Sequence, residues 1–115
     1  MTDTSSTPDE TNHSPATWYS CSGFQRDLLV GIATYSRLEQ SPYGANLHGW
    51  LDARYPTAVN QSRVYLNLGD LVEAGILRRE PITDRKTAYE LTDTAQQALA
   101  THAAVIDALD LPTRA

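Results

Sequence analysis

The chain has 115 residues, 41% of them hydrophobic, and 14 Asp and Glu against 9 Lys and Arg give a formal net charge of −5. That length allows one domain with a modest core. No apolar run approaches the roughly 20 residues of a membrane span. The amino-terminal MTDTSSTPDETNHSPAT lacks the basic and apolar regions of a signal peptide, which points to the cytoplasm, and the single cysteine, Cys21, excludes an internal disulfide and a cysteine-based metal framework.

Residues 1–17 are rich in Thr, Ser, Pro, Asp and Glu and carry no large apolar residue after Met1, so a disordered tail is expected there. Order is expected to begin at Trp18-Tyr19. Ser22-Gly23-Phe24-Gln25 has the form of a capping box, and Phe24, Leu28, Leu29, Ile32 and Tyr35 then recur at helical spacing, predicting a helix from about Gly23 to Tyr35 with Arg26, Asp27 and Arg37 outside. Ser41-Pro42 reads as a second helix start, with Tyr43, Leu47, Trp50 and Leu51 as its buried stripe and an end near Tyr55-Pro56. The loop Pro56-Thr57-Ala58-Val59 is a short connection to the next helix, as in a helix-turn-helix.

That third helix is predicted over residues 60–74. Asn60 is a candidate N-cap and Gly75 a left-handed stop. Val64, Leu68, Leu71 and Val72 form its apolar stripe, and Asn60, Arg63, Asn67 and Asp70 fall on the opposite face. Ile76–Glu80 and Thr87–Leu91 read as two short strands around the polar loop Pro81-Ile82-Thr83-Asp84-Arg85-Lys86. Helix, glycine stop, strand, charged turn, strand is the order of a winged helix-turn-helix. The expected fold is therefore mainly α with a small β-hairpin wing (α+β).

A helix entering the major groove needs short polar and forked cationic side chains on its leading turns. Asn60, Gln61, Ser62, Arg63 and Asn67 are such a set. Arg85 and Lys86 would reach backbone phosphate or the neighbouring minor groove, with Tyr65, Ser62 and Thr87 adding hydroxyl contacts. A solvated helix surface is the plainer reading of Arg63 or Asn67 alone; the combination of helix and wing favours DNA. Asp70 and Glu73 would be repelled by phosphate, which confines the usable face to the first two turns. Tyr65 reads equally well as a core residue with its hydroxyl at the rim. For Arg78 and Arg79 a cross-strand pair with Glu90 is the plainer fate.

Thr92 can cap a last helix reaching about Leu109, in which Leu91, Ala95, Ala98, His102, Val105 and Leu109 repeat in steps of three and four like a heptad seam. A small winged domain has little surface to cover such a seam, so it is expected at a homodimer contact, with Trp18 and Tyr19 beside it; the alternative is a helix folded back on its own first helix. Two-fold pairing would set two recognition helices about 34 Å apart on double-stranded DNA and imply a palindromic promoter site. His102 is expected to be packed rather than a metal ligand, since no second ligand is spaced for it. Cys21 has only Arg26 nearby to lower its pKa. No nucleophile-base spacing, Gly-rich phosphate loop or metal signature is present, so neither an enzyme nor a cofactor or metal site is expected.

The acidic balance opposes DNA binding at first sight. Eight of the nine cations are Arg, and Lys86 is the only Lys. An acidic, lysine-poor surface is common in salt-loving organisms, and at a Debye length of about 3 Å in 1 M salt a basic surface would gain little.

VYLNLGDLVEAGIL followed by DRKTAYELT, with GFQRDLLVGIA and SPYGANLHGWL before them, resembles the PadR-like winged-helix transcriptional regulators, their haloarchaeal branch above all, over about Ser22 to Leu109. The resemblance implies that Tyr65, Leu68, Leu71 and Gly75 hold the recognition helix, that Asp84 to Tyr89 form the wing, and that the terminal helix dimerises. It also implies a regulator of the response to reactive oxygen species. Many relatives have a more basic or glycine-marked wing and a glycine where this chain has Ser62, and the short terminal helix leaves little room for a small ligand. The resulting division is a tail (1–17), a winged DNA-binding domain (18–91), a dimerisation helix (92–109) and a short tail (110–115). A competing reading is a winged-helix protein-protein interaction module without specific DNA binding, its acidic surface serving as the contact.

Overall fold

A computed structural model describes residues 13–112, with side chains from residue 17 onward. The chain order is α1 (His13–Ser20), α2 (Gly23–Arg37), α3 (Gly44–Asp52), α4 (Gln61–Glu73), β1 (Leu77–Pro81), β2 (Thr87–Leu91) and α5 (Asp93–Asp107). The expected tail at residues 1–17 is corrected at its end, because α1 begins at His13. Pro15 falls in its first turn, where a missing N–H costs nothing, and Trp18 is buried where α1 packs along α5. Residues 1–12 and 113–115 lie outside the described residues.

The caps explain the remaining boundaries. Ser22 and Gln25 form a reciprocal capping box at α2, and Thr92 Oγ1 accepts from the Ala95 N–H at α5. Gly75 adopts φ +77° and ends α4, a conformation that a side chain would disfavour. The start of α3 departs from expectation: Tyr43, not Ser41, is its N-cap, and no side chain caps it. Pro42 and Tyr43 are drawn onto the hairpin instead. The Tyr89 N–H donates to the Pro42 carbonyl at 3.2 Å and Tyr43 bridges Ala88, so this segment adds a short third edge to the wing.

β1 and β2 pair antiparallel, with Leu77 opposite Leu91 and Arg78 opposite Glu90. Arg78 Nη2 and Glu90 Oε1 lie 3.2 Å apart, the cross-strand pair the sequence suggested. Both side chains are about half exposed, and such pairs contribute little. The core joins Leu28, Leu29 and Ile32 of α2 to Leu47 and Leu51 of α3, Val64, Leu68 and Leu71 of α4, and the inward residues of the hairpin and α5. Among the described residues no helix is long and apolar enough to cross a membrane.

Candidate nucleic-acid interface

α4 stands between α2 on one side and α3 with the wing on the other. Val64, Leu68 and Leu71 hold its inner side in the core. A 3.6-residue period then turns Ser62, Leu66, Gly69 and Glu73 outward, with Gln61 and Tyr65 at one flank and Arg63 and Asn67 at the other.

The Arg63 flank makes contacts within the protein, although Asn60 and Arg63 stay exposed. Asn60 Oδ1 accepts from the Arg63 N–H at 3.2 Å and serves as the helix cap. Asn67 Oδ1 accepts from Gln25 Nε2 at 3.1 Å, and Asn67 Nδ2 donates to the Arg63 carbonyl at 2.8 Å. The Arg63 guanidinium lies 3.9 Å from the centroid of the Phe24 ring, which meets Tyr55 edge-on. Gln25 and Asn67 thus clamp α4 to the start of α2, while Arg63 lies over the Phe24 ring and stays exposed; the outward ridge also includes Leu66, which no polar pattern would select. Asn67→Ala is expected to cost about 1 kcal/mol of stability by removing this clamp, measurable as a lower urea midpoint.

Behind the clamp, the Tyr55 hydroxyl donates to Asp27 Oδ2 at 2.5 Å. Burial, then the hydrogen bond to Asp27, push the Tyr55 phenol up to about 12 from 10.0. A raised phenol pKa favours the folded state while the proton is held. The contribution is complete below pH 10.0 and disappears as pH rises to about 12. Urea midpoints taken from pH 9 to 12 are expected to fall more steeply for the native chain than for Tyr55→Phe, which has no proton to lose.

On the other flank, Tyr65 packs against Gly44, so close that a Cβ at Gly44 would collide with its ring. Tyr43, Gly44 and Asn46, with Tyr65, Lys86 and Thr87, line a cleft of about 240 Å³ between α3 and the wing. Lys86 Nζ sits 5.0 Å from the centroid of the Tyr43 ring. Thr83 Oγ1 accepts from the backbone N–H groups of Arg85 and Lys86, which fixes the loop that carries both cations. Gln61, Ser62, Arg85 and Lys86 are exposed, and Thr87 is half-buried. Arg85 and Lys86 thus stand exposed on the loop between β1 and β2.

The expected dimer seam is divided. Trp18, Leu91, Ala95 and Ala98 are buried within the protomer and are not available to a partner, which corrects their assignment. The physical reason is α1, whose Trp18 ring covers α5 and stacks on His102 at 4.7 Å. His102 is accordingly a packed histidine at the edge of that stack. Val105 and Leu109 remain about half exposed, as does Ile106. Cys21 is buried, and that burial pushes its thiol up, partly offset by Arg26. Among the described residues no cluster of three or more His, Cys, Asp or Glu could hold a metal ion. An apolar groove of about 480 Å³, lined by Ala33, Leu91, Leu99, Ala100 and Ala103 among others, lies beneath α5, so the short terminal helix leaves more room than the resemblance implied.

No family profile and no curated protein matches the chain. Solved structures do. A complex named hsRosR-S4 is 23% identical with a TM-score of 0.74, over 88% of this chain and 84% of that one. RosR of H. salinarum is 24% identical with a TM-score of 0.70, over 84% of each chain. MepR of S. aureus, solved as a DNA complex, is 12% identical with a TM-score of 0.63, over 86% of this chain and 68% of that one. With α3 and α4 as the helix pair and β1–β2 as the wing, the chain has the winged helix-turn-helix fold.

Proposed function

We propose that this protein is a dimeric, sequence-specific DNA-binding transcription regulator. The observation that carries the reading is a single exposed surface that combines the outward ridge of α4 with the cation-bearing wing loop. Gln61, Ser62 and Tyr65 meet base edges and phosphate in the major groove, and Arg85, Lys86 and Thr87 hold backbone or the adjacent minor groove. Asn67, held by Gln25, sets the angle of the helix, and the exposed Asn60 and Arg63 lie at the edge of the same surface, within reach of phosphate. Likeness in fold to RosR and to the DNA-bound MepR supports this use of the scaffold.

The dimer contact falls on the far end of α5, where Val105, Ile106 and Leu109 are exposed together. Its two-fold axis would pair two α4 helices about one DNA turn apart, on a palindromic site. The acidic, arginine-dominated composition fits work in concentrated salt in the cytoplasm, and the PadR-like resemblance adds a role in the response to reactive oxygen species. The test is sequencing of genomic fragments retained by the purified protein in concentrated potassium chloride, beside an Arg85→Ala, Lys86→Ala variant. A palindromic motif recovered by the native chain and absent with the variant is the expected result. Absence of any enrichment would favour a protein-interaction module.

A further inference from the structure

We infer that Leu66 reads a thymine in each half-site through its 5-methyl group. The inference rests on the proposed DNA-binding role and concerns which bases that surface prefers. Leu66 is 69% exposed, more than any other large apolar side chain among the described residues. It sits two positions from each of the buried residues Val64 and Leu68, which puts it on the outermost line of α4. A scattered surface leucine needs no explanation. This one stands at the centre of the ridge that faces away from the body, beside Ser62 and Tyr65, with which it lines one surface depression.

What such a side chain can recognise is narrow. In the major groove guanine, cytosine and adenine present only donors and acceptors, whereas thymine adds an apolar methyl group. Leucine has no hydrogen-bonding group, so pressed against the other bases it would strip water from polar edges and return no bond. Against thymine it buries methyl on methyl. Gly69, one turn along the ridge, has no side chain of its own, and what lies nearest to where its Cβ would stand is the Arg79 guanidinium, Nη2 at 3.8 Å, a cation that attracts phosphate rather than holding the duplex off. Gln61 and Ser62 supply the hydrogen bonds to neighbouring bases. Asp70 and Glu73 further along repel phosphate, which keeps contact on the turns around Leu66.

The experiment uses the full chain and duplexes recovered by selection from a random library, with each thymine replaced in turn by deoxyuridine, which lacks only the methyl. Affinity is measured for the native protein and for Leu66→Ala. Native binding is expected to weaken about fourfold at one position per half-site, the factor that one buried methyl corresponds to. Leu66→Ala should lose that sensitivity while keeping the native melting temperature. Equal sensitivity in both proteins, or selected sites without a fixed thymine, would overturn the inference and leave DNA binding standing. A native chain that retains no duplex at all would overturn the proposed function and this inference with it.

Discussion

Leu68→Ala is expected to lower stability by about 2–5 kcal/mol, the cost of removing a buried leucine and leaving a cavity. Leu68 is fully buried at the centre of α4, where that helix meets the core built on α2 and α3. Against a total of roughly 5–15 kcal/mol for a domain of this kind, that is a large share. The thermal midpoint should fall by roughly 10–20 °C, as followed by circular dichroism. Leu66→Ala is the internal control: it removes the same atoms from the same helix at an exposed position and should stay within about 0.5 kcal/mol of native. Similar melting of the two variants would contradict the orientation of α4.

The second large effect concerns binding. Removing both wing cations, as Arg85→Ala with Lys86→Ala, is expected to weaken duplex affinity roughly a hundredfold at moderate salt, since a hydrogen bond to a charged group is worth about 1.5–3 kcal/mol. Stability should hardly change, because both side chains are exposed and anchor nothing in the core. The slope of log affinity against log salt should shift by about two, one unit for each phosphate that is no longer neutralised. An acidic surface makes the native slope shallow, so the difference between the two proteins is the decisive quantity. Unchanged affinity with an unchanged slope would move the interface away from the wing.

Most of the architecture was legible in the sequence because its signals are local. Ser22 with Gln25, Asn60, Thr92 and Gly75 act on backbone groups within three or four residues, and each performs at its predicted place. The apolar stripes of α2 and α4 likewise declare their buried sides. Ser41 is the instructive exception. Its local start signal was overridden when Pro42 and Tyr43 paired with β2, residues far along the chain that no local rule sees.

The sequence by itself determined α2, α4, α5 and the hairpin, their order and the winged scaffold, though not α1, since these depend on periodicity and on turn chemistry. Only the tertiary structure decided which polar residues are free. Gln25 reaches Asn67 across 42 positions, and Trp18 meets His102 from the opposite end of the chain. These contacts withdraw Asn67 from the exposed face of α4, and Trp18, Ala95 and Ala98 from a partner, and they leave Leu66 outermost. A helical wheel distinguishes the core side from the rest of a helix, but the remaining sides are divided by neighbours that are adjacent only once the chain has folded.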